Sequence, residues 1–135
     1  MPKFGGRSLT LLKTTHPLLA RVMGAAIFDF DFSIIQSSRT QEEQEADFQK
    51  GTSKAHWLQS AHDYNPSFAV DCAPFPLDWS NLHAFEAMAV VIKDAADHLG
   101  IPIVWGGDFP PGTIKDYPHF ELANWKSLAL AAKHA

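Results

Sequence analysis

The sequence predicts an α+β fold, a small antiparallel sheet with helices packed on one side. Three observations carry this reading. Leu82, Phe85, Ala89, Ile92, Ala96 and Leu99 recur at helical spacing and mark one long amphipathic helix. Short apolar runs bounded by turn residues, such as Phe68–Ala73 and Ile101–Trp105, mark strands. The 135 residues are 46% hydrophobic and include ten Phe and four Trp, which suits one domain with its own core.

Taken in order, Pro17 stands where a first helical turn accepts it, and Leu18, Leu19, Val22, Met23 and Ala26 follow at helical intervals. Phe30 to Ile35 reads as a strand. Thr40 with Glu43 forms a capping box, so Gln41 to Lys50 is a polar helix ended by Gly51. From Thr52 to Pro66 periodicity vanishes, giving a loop long enough to suggest function. Phe68 to Ala73 is a buried strand despite Asp71. Ser80 is placed to cap the long helix, and Gly100 to end it. Ile101–Trp105 and His119–Leu122 are strands, separated by Gly106-Gly107-Asp108 and Pro110-Pro111-Gly112. Asn124–Lys133 is the closing helix.

Composition excludes several classes of function. The formal net charge is −4, so no basic surplus exists to neutralise a phosphate backbone, and nucleic acid is not an expected partner. The single cysteine, Cys72, can form neither an internal disulfide nor a cysteine-rich zinc finger. Its thiol is expected to be buried and to point away from the face that carries Asp71. Near the N-terminus, Val22–Phe28 is far shorter than the ~20 apolar residues a membrane span needs, and no signal-peptide pattern is present. The expectation is a cytoplasmic protein with no membrane insertion.

Among seven histidines, two lie near carboxylates in suggestive order. His62 and Asp71 flank one loop-to-strand transition, and His119 opens the last strand, three residues after Asp116. Two histidines and a carboxylate are a catalytic zinc set that leaves a position for water. Asp71 in an apolar run needs a cation or hydrogen-bond donors, because an unpaired buried carboxylate costs several kcal/mol. It could meet that need by pairing with Arg39, by capping a turn, or by binding metal. His56, His83 and His98 have no partner pattern and read as solvated. Trp79 and Trp105 read as core or groove-lining rings, core being favoured, and Gly106-Gly107 as a place where backbone passes close to the site.

The combined pattern is more specific. Ser60-x-His62, Pro66-Ser67-x-Ala69-Val70-Asp71, Trp105-Gly106-Gly107-Asp108 and Asp116-x-x-His119-Phe120-Glu121 follow in sequence. Upstream lie Ser37-Ser38-Arg39-Thr40 with Gln44, Gly51-Thr52-Ser53-Lys54, and an opening with Arg7-Ser8-Leu9 and His16-Pro17. This order closely resembles the zinc peptidases of the D-Ala-D-Ala carboxypeptidase/L-alanyl-D-glutamate endopeptidase type, which share the fold of D-Ala-D-Ala dipeptidases and of the hedgehog signalling domain.

The resemblance implies that His62, Asp71 and His119 bind Zn²⁺. It implies that Asp116 is the catalytic carboxylate and that Arg39 contacts substrate or steadies the oxyanion. Ser60 would be a donor behind the ligands, and Glu121 another supporting group on the face of His119. Two departures stand out: Asn65-Pro66-Ser67 replaces a compact His-x-x-Gly form, and Asp116 stands where the commonest dipeptidase form has Glu, as in the phage endopeptidases. The implied function is a peptidoglycan hydrolase that cuts the stem peptide between L-Ala and D-Glu. A D,D-carboxypeptidase or dipeptidase acting at D-Ala-D-Ala is the alternative, followed by a silent zinc-binding module of the same fold. Residues 1–135 would form a single, monomeric catalytic domain with no separate wall-binding module. Lacking a signal peptide, it would reach the wall of a host bacterium through a holin, as an endolysin does.

Overall fold

The computed structural model describes residues 1–53 and 55–133. Lys54, the last residue of the Gly51-Thr52-Ser53-Lys54 motif, lies outside the described residues. Helices α1 (Gly6–Leu12) and α2 (Pro17–Ala26) precede strand β1 (Phe32–Gln36) and helix α3 (Gln41–Gln49). A 3₁₀ turn at Ala61–Asp63 leads into β2 (Ala69–Pro74), and the long helix α4 (Leu82–Leu99) follows. β3 (Ile103–Trp105), a second 3₁₀ turn (Gly106–Asp108), β4 (His119–Leu122) and α5 (Trp125–Lys133) complete the chain.

The strands form one antiparallel sheet in the order β1-β2-β4-β3. Along β2 and β4, alternation sends Val70, Cys72, Phe120 and Leu122 to one face, each at most 1% exposed. There α2 and α4 pack with Leu19, Val22, Met23, Phe85, Met88 and Ile92 into the core. Cys72 is buried on this face, its Sγ 3.8 Å from Met23 Sδ, and burial first, then Asp71, pushes its thiol pKa up. Asp71 and His119 fall on the opposite face. They are directly paired across the β2–β4 ladder.

Local rules place most boundaries. The Thr40 hydroxyl accepts the Glu43 N–H while Glu43 Oε1 accepts the Thr40 N–H, the capping box expected for α3. Gly100 ends α4 at φ +69°, the left-handed conformation glycine tolerates. The cap at the other end is Asn81, not Ser80: Asn81 Oδ1 accepts the Ala84 N–H, while the Ser80 hydroxyl turns back to Asp78 at 2.6 Å. Within the expected stripes, Leu18 and Leu82 are exposed, and Met88 takes a core place that the stripe omitted. Trp105 is a core ring, but Trp79 lies on the surface, 54% exposed and stacked on Phe85. Helix α1 was not expected. It is held from outside, with Ser8 Oγ accepting the Ile34 N–H and Phe4 set edge-on to Phe32.

Candidate metal centre

The site grows from three local structures that meet on the open face of the sheet. Asp71 and His119 project side by side because they are register partners on β2 and β4. His62 arrives from the 3₁₀ turn Ala61–Asp63, whose position is fixed twice by the segment after β1. The Arg39 N–H donates to the His62 carbonyl at 2.7 Å, and the His62 ring Nδ1 meets the Ser37 carbonyl at 2.8 Å. A bulge between Ile34 and Gln36, opposite Cys72 and Asp71, turns β1 toward that segment.

These contacts fix the histidine tautomers. A carbonyl only accepts, so His62 Nδ1 carries the proton and Nε2 is left free to face the site. Glu121 Oε1 lies 2.7 Å from His119 Nε2, so that nitrogen donates and Nδ1 faces the site. His62 Nε2 lies 3.2 Å from both Asp71 Oδ1 and His119 Nδ1, and Asp71 Oδ1 lies 3.5 Å from His119 Nδ1. All three donor atoms fall within 4.8 Å of one another. Two lone pairs and a carboxylate oxygen thus converge with no donor of their own. Such a cluster requires a proton or a metal cation at its centre.

The electrostatics say the same. Burial alone would raise the pKa of Asp71, but His62 and His119 outweigh it and hold the carboxyl well below its usual range. Burial would lower His119, yet Asp71 and Glu121, accepting hydrogen bonds from its ring, lift it to about 9. That elevation marks the space between the three donor atoms as one that favours positive charge. The donor set, two imidazoles and one carboxylate with the orienting contact from Glu121, fits Zn²⁺.

Around this floor runs a cleft of about 430 Å³. Asp116 is half-exposed on its wall, with Oδ2 3.9 Å from His119 Nδ1. Desolvation first, then the negative charge of Asp71, raises its pKa. Gly106 sets this position: its carbonyl accepts the Asp116 N–H at 3.0 Å, and a Cβ at Gly106 would lie 2.1 Å from the Asp116 carbonyl oxygen. The close backbone approach expected of the glycine pair is met here. Arg39 also lines the cleft and does not pair with Asp71. Its guanidinium donates to Gln44 Oε1 and to Gln36 Oε1 (3.1 Å), with Asp47 Oδ2 3.6 Å from Nε.

Ser60 serves otherwise than expected. Its hydroxyl accepts the His62 N–H at 3.3 Å and so caps the turn, instead of donating to a ligand. Gln36, Gln44 and Asp47 were not singled out as partners of Arg39, although the capping box sets the register of α3, and Gln44 and Asp47 share one helical face. Nor was Asp63, which is buried and binds the Leu58 and Ser60 N–H groups through Oδ2. His56, His83 and His98 are exposed, as expected. No helix among the described residues is long and apolar enough to cross a membrane.

Known proteins share this architecture. A model of the phage L-alanyl-D-glutamate peptidase family matches residues 1–122. The L-alanyl-D-glutamate peptidase of Escherichia phage T5 is 32% identical over 114 residues, spanning 79% of this chain and 81% of that protein. The crystal structure of the Serratia marcescens L-Ala D-Glu endopeptidase ChiX superposes with a TM-score of 0.80 at 30% identity, covering 93% of this chain and 94% of that one. With a match over nine-tenths of its length, the chain belongs to the phage L-alanyl-D-glutamate peptidase family.

Proposed function

We propose that this chain is a zinc-dependent endolysin that hydrolyses the L-Ala–D-Glu bond of the peptidoglycan stem peptide. The observation that carries the proposal is the convergence of His62 Nε2, Asp71 Oδ1 and His119 Nδ1 on one point at the floor of a cleft. Those three residues would hold Zn²⁺, which when bound polarises a carbonyl and supplies a water-derived nucleophile near neutral pH.

The remaining work falls to the chain's own groups. Asp116, whose carboxyl pKa is raised by desolvation, accepts the proton of the attacking water at Oδ2 and returns it to the leaving D-Glu nitrogen as the C–N bond breaks. Arg39 is permanently charged and held in orientation by Gln36, Gln44 and Asp47, so it can face the substrate carbonyl oxygen as negative charge develops there. Glu121 keeps the His119 ring turned so that Nδ1 faces the site, and the Ser37 carbonyl does the same for Nε2 of His62. Ser60 holds the turn on which His62 rides. The chain acts as a monomeric catalytic unit, made in the host cytoplasm and given access to the wall by a holin.

Digestion of purified peptidoglycan with the zinc-loaded protein tests the reading. Mass spectrometry of the products should find new L-Ala carboxyl and D-Glu amino termini. Release of free D-Ala would instead place the cut at D-Ala-D-Ala, and an undigested wall with zinc bound would leave a binding module.

A further inference from the structure

Beside the cleft lies a second, larger concavity of about 890 Å³, which the mechanism does not use. Gln59, Trp125 and Lys126 line both, so the two form one continuous surface. Leu58 and Leu130, 46% and 58% exposed, wall the trough together with Tyr64 and Ala129. Its charged lining residues are Lys126 and Lys133, and its described lining includes no acid. The far wall belongs to α5, which begins at Trp125, beyond the residues the family model matches.

The near wall is held in a strained form. Leu58 has φ +67°, a left-handed conformation that is strained for a non-glycine residue. Both of its backbone polar groups are pinned: Asp63 Oδ2 accepts its N–H at 3.0 Å, and the Tyr64 hydroxyl donates to its carbonyl at 3.2 Å. Asp63 sits next to His62, so the backbone that shapes the trough is tied to the turn that delivers a metal ligand. Strain kept at an exposed leucine has no core packing to explain it.

We infer that this trough binds the carboxyl-side flank of the stem peptide, with Lys126 and Lys133 receiving its carboxylates, an inference that rests on the peptidase reading above. Charge selects this flank. On the amino side of the scissile bond the stem joins a neutral sugar through its lactyl group. On the carboxyl side D-Glu, a diamino acid and D-Ala carry free carboxylates that outnumber the one free amine, with short methyl-bearing units. A trough with apolar walls and two ammonium groups complements the second and not the first.

Two peptides separate the outcomes: N-acetyl-L-Ala-γ-D-Glu-diaminopimelate-D-Ala, and the same peptide truncated after D-Glu. The zinc-loaded protein should prefer the longer one, and raising NaCl should shrink that preference, since exposed ion pairs are screened. Lys126→Glu combined with Lys133→Glu should lower the long-to-short ratio of kcat/KM by about five- to tenfold, mainly through KM, on the scale of two exposed ion pairs turned to repulsion. Lys126→Arg with Lys133→Arg should keep the ratio, as should Lys3→Glu, which reverses one exposed charge elsewhere. Cleavage of both peptides at equal efficiency would leave the peptidase standing and overturn the trough assignment. So would a ratio that charge reversal does not move, or that Lys3→Glu lowers equally. Failure to cut either peptide or the wall would remove the peptidase reading and this inference with it.

Discussion

The two faces of β2 and β4 differ by one residue of alternation and by everything in chemistry. On one face Val70, Cys72, Phe120 and Leu122 are sealed against α2 and α4. On the other, Asp71, His119 and Glu121 share hydrogen bonds at the floor of a cleft. The apolar face can spread any single loss over many contacts. The polar face cannot, because each donor in the cluster has few partners, and His62, Asp71 and His119 are partners to one another. Stability and activity should therefore respond separately to substitutions at neighbouring positions.

The sharpest contrast comes from the donors. His62→Ala, Asp71→Ala and His119→Ala should each lower zinc content, measured by elemental analysis, and abolish hydrolysis of peptidoglycan. Unchanged stoichiometry in all three would dissolve the proposed site. Next in size is Asp116→Asn, which preserves shape but cannot accept a proton near neutral pH. It should retain zinc and lose about 10²–10⁴-fold in turnover. Loss of zinc in this variant would instead make Asp116 a ligand.

On the other face, Phe120→Ala should cost about 3–5 kcal/mol of stability, read from denaturant unfolding. Turnover per folded molecule should stay close to that of the parent. A specific activity that collapses with the core would show that the two faces are not independent.

The smallest effect is a pH dependence of the metal-free protein. His119 is raised to about 9 from 6.5, so its contribution to stability is complete below 6.5 and is lost as pH rises through about 9. Asp71 is held below 3.8, so its contribution is present above that value and is lost as pH falls through the lower folded value. Thermal unfolding of the metal-free protein should accordingly show stability declining on the alkaline side. Saturating zinc should flatten that decline, because the metal replaces the proton on His119. Zinc uptake near pH 7 should release about one proton, seen by calorimetry in buffers of different ionisation enthalpy.

The same contrast explains how much could be read from sequence. The capping box at Thr40–Glu43, the glycine stop at Gly100 and the strand His119–Leu122 depend on local chemistry, and local chemistry is written in adjacent residues. Helix α1 was missed because its support comes from β1, far along the chain. At the site, the order of His62, Asp71 and His119 was legible through a family resemblance, and the fold brings their donor atoms together. The partners of Arg39 and the capping use of Ser60 were not legible. Both depend on which way a side chain turns within a loop, and a pattern of residue types does not encode that.

Gly106 carries a consequence for how this protein can vary. The room left by its missing methyl is what lets the Asp116 backbone lie where it does. The aim of the proposed proton carrier is thus set by an atom that is not there, in another turn of the chain. Alanine at that place would alter no charge, no donor and no acceptor, yet it would have to push Asp116 outward. A survey of substitutions that watched only the chemically active side chains would pass over a position where inertness itself is the requirement.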